Sequence, residues 1–343
     1  MNLTKPLLIL AIFLIAACNS TKKEMPIADT ITKSNTFNLE EVLNTNVLKT
    51  KKTAEGLVSA DSFPRNIKEG TTDWHFVGVK DWCSGFWPGV LWYAYEASGD
   101  KEIKKQAERF TNPLKTIAYS PADNHDIGFM VYCSYGNGYR LTGNEAYKEV
   151  LLSAADTLAT LYNPTVGTIL SWPSQKEKFQ YNTIIDNMMN LELLFWAAKN
   201  GGEQRLYDIA KSHAEKTMEH IVRKDSAVYH VASFDEKTGK FLGGHTHQGY
   251  AKESMWARGQ GWGIYGFSVA YRETGEQEFL DTAIKLADHY MNRLPKDGIP
   301  YWDFDDPKIP NAPRDASAAA VAACGMLELS QMVKDVKLKE KYM

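Results

Sequence analysis

The chain has 343 residues, with 39 Lys and Arg against 42 Asp and Glu, a net charge of −3. That balance, without blocks of like charge, excludes a basic nucleic-acid footprint. The four cysteines, Cys18, Cys83, Cys133 and Cys324, contain no C-x-x-C pair and indicate neither a disulfide framework nor a zinc knuckle.

Lys5 precedes twelve uncharged, largely aliphatic residues, Pro6 to Ala17. A bilayer span needs roughly 20, so the run reads as a secretory h-region. It ends Ile15-Ala16-Ala17-Cys18, which resembles the lipobox of bacterial lipoproteins, with Cys18 the acylated residue; a plain signal peptide with a chance cysteine is the alternative. The expected organisation is a signal peptide over 1–17, a polar tether over 18–36 and one domain over 37–343. The protein would then be lipid-anchored in the cell envelope, periplasmic or on the outer-membrane surface, and its three remaining thiols are expected to be buried.

Tyr95-x3-Gly99, Tyr139-x3-Gly143 and Tyr271-x3-Gly275 share one pattern: a helix ended by a C′ glycine, a short turn, and a new helix with an acidic first turn. Trp196 to Gly201-Gly202 is a looser copy. Helices are expected over 37–54, 86–98, 101–118, 126–141, 144–161, 183–199, 203–222, 255–273, 276–293 and 315–333, with an eleventh starting near Leu338 and one short strand over 228–233. Helices before each turn are apolar nearly all round, and those after it carry charge on one face. Dry helices ringed by amphipathic ones define an all-α toroid of paired helices. A closed ring of six hairpins needs twelve, so the last hairpin is expected to be incomplete, leaving the faces near Leu39–Leu48 and Ala316–Leu327 partly uncovered.

An unpaired charge on a dry helix costs several kcal/mol, so each exception needs a reason. Asp126, at the entry to the driest helix, and Asp186, in the first turn of its own, are candidates for paired acid–base work at one mouth of the ring. Each could instead be an N-cap. Glu192, about 240° round the helix from Asp186, reads as a structural acid bonded to a neighbouring helix. Arg258 is the only charge between Met255 and Tyr271. It falls in the densest polar–aromatic stretch, His245-x-His247-Gln248-Gly249-Tyr250 and Ser254-x-Trp256-x-Arg258-Gly259-Gln260-Gly261-Trp262, where indoles suit sugar faces and Arg suits a carboxylate. His245-x-His247 lacks an obvious third metal ligand, and Gly261-x-Gly263-x-x-Gly266 lacks the preceding strand of a dinucleotide site.

The motif order Gly85-Phe86-Trp87-Pro88-Gly89, His125-Asp126-Ile127-Gly128-Phe129, Ile185-Asp186-Asn187, His247-Gln248-Gly249-Tyr250 and Ser254-x-Trp256-x-Arg258-Gly259-Gln260-x-Trp262 resembles the unsaturated glucuronyl hydrolases of glycoside hydrolase family 88. Tyr301-Trp302-Asp303 and Pro313-Arg314-Asp315 add to the likeness. The resemblance implies an (α/α)6 barrel, no metal or organic cofactor, and as substrate an unsaturated oligosaccharide left by a polysaccharide lyase. It implies hydration of a vinyl ether, with Asp186 giving the proton and Asp126 supporting it. Gln248 and Arg258 would bind near the substrate carboxylate, Trp172, Trp256 and Trp262 would wall the pocket, and His125, His230 and His247 would contact the site. Alternatives are an unsaturated rhamnogalacturonyl hydrolase, a non-catalytic glycan-binding surface lipoprotein and an α/α-toroid lyase, the last unsupported by a basic cleft.

Overall fold

The structure, a computed structural model, describes residues 38–343 except residue 69. The segments expected over 1–17 and 18–36, Cys18 included, lie outside the described residues, as does residue 37. No described helix is long and apolar enough to cross a membrane.

Helices alternate between an outer and an inner layer. The outer ones are α1 (Leu39–Glu55), α3 (Lys101–Thr111), α5 (Glu145–Ala159), α7 (Gln204–His220), α9 (Gln277–Arg293) and α11 (Val336–Tyr342). The inner ones are α2 (Phe86–Ser98), α4 (Ile127–Val131 and Asn137–Thr142, joined through a π-turn at Tyr132–Gly136), α6 (Leu191–Lys199), α8 (Ala257–Thr274) and α10 (Ala316–Met332). This is the expected α/α toroid. The outer helix α9 shows the logic: Phe279, Leu280, Ala283, Leu286, Ala287 and Tyr290 form its one buried stripe, each large side chain contributing roughly 1.5–3 kcal/mol.

The repeated turns form as read. Gly99, Gly143 and Gly275 adopt φ of 66°, 65° and 74°, and their N–H groups close on the carbonyls of Tyr95, Tyr139 and Tyr271. Asp100 and Asn144 then cap the next helix, while Ile103, Tyr147 and Phe279 are buried. Only glycine takes that left-handed conformation cheaply.

Four expectations need correction. The helix expected over 101–118 breaks at Asn112–Leu114, where Pro113 cannot donate. The helix over 126–141 carries the π-turn. The helix over 183–199 begins only at Leu191: Tyr181–Ile184 is strand β5 and Ile185–Asn190 a 3-10 segment, because the β-branched Thr183-Ile184-Ile185 run finds a partner strand. The strand expected over 228–233 is β6 (Val231–Phe234), in a sheet of order β5-β6-β7 with β7 at Phe241–His245. Two small hairpins, β1 (Phe63–Ile67) with β2 (Trp74–Val77) and β3 (Tyr162–Asn163) with β4 (Thr168–Ile169), were not anticipated.

Among the described residues, inner helices number five against six outer ones. An open groove of about 710 Å³ runs between Trp82, Cys83 and Phe86 on one side and Ser317, Ala320, Val321 and Cys324 of α10 on the other. Leu39, Val42, Leu43 and Leu48 of α1 and Leu327 of α10 are exposed, as expected of uncovered faces. Cys324 is exposed in this groove, contrary to the expectation of buried thiols; Cys83 is buried and Cys133 partly so.

Candidate active site

Asp126 immediately precedes α4, and Asp186 lies two residues beyond the end of β5. Neither acts as a helix cap: the Asp126 carboxyl makes no bond to the first turn of α4, and Asp186 lies inside its 3-10 segment, whose cap position is held by Ile184. The Phe129 N–H in that first turn goes instead to the Asn190 side-chain oxygen at 2.9 Å. Both carboxyls are thereby left for other work.

Two buried histidines face them. His125 Nε2 lies 3.4 Å from Asp126 Oδ1, and His230 Nε2 lies 3.5 Å from Asp186 Oδ2. His230 Nδ1 accepts from the backbone N–H groups of His247 and Gln248, both at 3.0 Å. Its ring proton therefore sits on Nε2, toward Asp186.

Burial pushes the Asp126 carboxyl up to about 7, with Asp81 and Asp123 adding to the shift. Burial also pushes Asp186 up to about 7; His125 and Arg258 oppose the shift and Asp126 reinforces it. Burial takes His125 down to about 4 and His230 down to about 3. Near neutral pH the imidazoles are uncharged and each carboxyl carries its proton part of the time, the condition a general acid needs.

The carboxyls open on a cavity of about 240 Å³, below the roughly 300–1,000 Å³ of sites for drug-sized ligands and so suited to one small terminal unit. Of the residues singled out in the sequence, Asp126, Asp186, His125, Trp172, His247, Gln248, Arg258 and Trp262 line it. The buried Trp262 indole N–H, Asp186 Oδ2 and His230 Nε2 have no protein hydrogen-bond partner. The indole N–H of Trp262, a lining residue, is thereby poised for a ligand, whereas Asp186 Oδ2 and His230 Nε2 face each other at 3.5 Å without a hydrogen bond.

His230 and Trp256 are not on the lining. His230 stands behind Asp186. Trp256 is buried between His230, 4.6 Å away ring to ring, and the Arg258 guanidinium, 5.0 Å above its ring. It supports the wall, correcting its expected place in it. Arg258 is further held by Asp315, the N-cap of α10, at 2.5 Å. Glu192 is structural as read: Tyr265 and Arg272 donate to it at 3.0 and 2.7 Å.

Trp172 is aimed by Asn182. The Asn182 side chain accepts from Trp172 N–H at 2.9 Å and donates to the Trp172 and Gln180 carbonyls, both at 3.1 Å. It thus ties down the strap that brings Ser174 and Gln175 to the cavity. Buried Asp303 holds the loop before α8, accepting from Ser254 Oγ and Tyr250 N–H at 2.7 and 2.9 Å. Trp82, Met189, Ser174 and Gln175 on the lining, and Asn182 and Asn190 behind it, were missed. Asn182, Asn187 and Asn190, three amides in one apolar stretch, were the available signal.

Paired carboxyls of raised pKa serve proton transfer, and indole walls take sugar faces, so fold and cavity together define a carbohydrate-active enzyme. Comparison with known proteins makes the class definite. Residues 58–328 match the Glycosyl Hydrolase Family 88 model. An unsaturated glucuronyl hydrolase of Formosa agariphila is 44% identical over 79% of this chain and 68% of its own length. An unsaturated chondroitin disaccharide hydrolase of Streptococcus pneumoniae is 36% identical over 75% of this chain and 65% of its own. The crystal structure of an unsaturated glucuronyl hydrolase specific for heparin superposes with a TM-score of 0.84 at 43% identity, covering 89% of this chain and 80% of that one. The chain belongs to glycoside hydrolase family 88.

Proposed function

We propose that the protein removes a terminal 4,5-unsaturated uronic acid from oligosaccharides released by polysaccharide lyases, with glycosaminoglycan fragments as the substrate class. The observation that carries this is the pair of largely buried carboxyls, Asp126 and Asp186, each raised to about 7 over one small cavity. Relatives named for chondroitin disaccharides and for heparin support the substrate class.

In this reading Asp186 gives its proton to C4 of the C4=C5 bond while positive charge develops at C5, shared with the ring oxygen. A water adds at C5 and returns its proton to Asp186, so H and OH have been added across the double bond. The hemiketal formed at C5 opens to a ketone as the bond from C5 to the ring oxygen breaks, leaving that oxygen as a hemiacetal hydroxyl on C1. The hemiacetal collapses to an aldehyde and the aglycone leaves as an alcohol. Asp126 holds ring hydroxyls and supports the charge. Arg258, steadied by Asp315, faces the substrate carboxylate. Trp172 and Trp262 bracket the ring.

The test pairs two substrates. Loss of the ultraviolet absorbance of the conjugated alkene is followed on an unsaturated disaccharide, and aglycone release on the saturated glucuronide of the same shape. An enzyme that protonates the leaving oxygen and attacks C1 accepts the saturated sugar, whereas hydration requires the alkene. Turnover of the unsaturated sugar alone is expected; comparable rates on both would overturn the proposal.

We further infer that the chain is anchored in the cell envelope through an acylated Cys18, supported by the apolar run and Ile15-Ala16-Ala17-Cys18. Cys18→Ser should move the protein from the membrane to the soluble fraction. A wild-type protein found wholly soluble would refute the anchor.

A further inference from the structure

Asn190 is a fully buried amide between the two acid-bearing segments, and both ends of its side chain are committed. Its Oδ1 accepts the Phe129 N–H at 2.9 Å, in the first turn of α4 that Asp126 leaves uncapped. A backbone N–H only donates, so this bond settles which end of the amide is oxygen. The Nδ2 end then meets His125 Nδ1 at 3.1 Å. An amide N–H also only donates, so Nδ1 must accept and the imidazole proton belongs on Nε2, 3.4 Å from Asp126 Oδ1. Gly128 permits the approach: a Cβ there would stand 2.5 Å from both Cβ and Oδ1 of Asn190.

We propose that Asn190 is a positioning residue for the reaction, holding His125 as the neutral Nε2–H tautomer so that the imidazole donates toward Asp126 and cannot serve as a base. The inference rests on the acid–base role given above to Asp126 and Asp186. A donor fixed on Asp126 orients its carboxyl and offsets part of the penalty that burial places on its charge. His230, locked by two backbone N–H groups, has the same polarity toward Asp186. Each carboxyl thus faces the protonated nitrogen of a neutral ring, one oriented by the backbone and the other by Asn190.

The first measurement is the tautomer itself, by nitrogen NMR of the histidine-labelled wild-type protein, with the His125 signals assigned by their loss in His125→Gln. Protonated Nε2 and bare Nδ1 are expected near neutral pH; a proton on Nδ1 overturns the proposal. The second is Asn190→Asp. A carboxylate still accepts from Phe129 N–H, so the helix start keeps its partner, but it now presents oxygen to His125 Nδ1 and draws the ring proton there. The kcat on an unsaturated disaccharide should fall at least roughly tenfold with KM little changed, short of the about 10⁴-fold that a wrong tautomer costs a histidine acting as the base itself. In the His125→Gln background the same substitution should cost nothing further. An unaltered kcat, or an equal loss with and without His125, refutes the role. Should the wild type turn over no unsaturated disaccharide, the proposed function fails, and the NMR result still decides the tautomer.

Discussion

Asp186→Asn should reduce turnover of an unsaturated disaccharide by roughly 10²–10⁴-fold, the usual worth of a positioned general acid, and should make the protein more stable at alkaline pH. The amide keeps the shape of the carboxyl but has no proton to give. The stability gain follows from linkage. The folded-state pKa of Asp186 lies near 7 against an ordinary value of 3.8, so between those two values the unfolded chain releases a proton that the folded one retains. Stability is therefore lost as pH rises through that window, and the deficit stays constant above it. That difference sets a ceiling of about 4 kcal/mol, reduced because the side chain keeps 18% of its surface open. Melting temperatures of variant and wild type should agree near about pH 4 and separate, variant higher, near about pH 8. Near-normal turnover would reassign the acid. A melting difference independent of pH would refute the burial argument.

Gly85→Ala should cost stability at or above the upper end of the roughly 1–3 kcal/mol typical of overpacking. Its Cβ would stand 2.2 Å from the Met130 carbonyl oxygen and 2.5 Å from the Met130 Cα. Those are backbone atoms of α4, which no side-chain rotation can move aside. The start of α2 and the first turn of α4 meet here backbone to backbone. Relief must displace one helix, and α4 brings Phe129 to the cavity just after Asp126. Activity should therefore fall further than the loss of folded protein accounts for, since an error of about 1 Å in a reacting group can cost about 10²-fold. Denaturant titration and kcat on the folded fraction check both parts; wild-type values for either would contradict the packing described.

The toroid was legible because its evidence is local. A helix, a left-handed glycine and an acidic restart fit within about ten residues, as at Tyr95 to Ile103, and recur. The acids were legible because charge is expensive where Ile127, Met130 and Leu191 are buried. Of the sheet only the strand near 228–233 was legible, because the β-branched Thr183-Ile184-Ile185 run becomes a strand only by pairing with Val231–Phe234, some fifty residues away. Asn182 and Asn190 escaped notice since a neutral amide barely perturbs a hydropathy count; its importance lies in which atoms donate. Trp256 was misplaced for a related reason: residue type suggests a sugar platform, but only packing decides that its ring lies beneath Arg258 and beside His230.

The sheet also works as a ruler. Ile184, Val231 and His245 stand abreast across its three strands, and Asp186, His230 and His247 follow within two residues along the same edge. Residues distant in the chain are thus brought to one line by ladder pairing alone. One step of that ruler is about 3.3 Å and reverses the face to which each side chain points. A slip of a single step between β5 and β6 would leave the surrounding helices intact and carry His230 out of reach of Asp186. Three short strands, a minor part of a helical protein, thereby set the tolerance to which its chemistry is built.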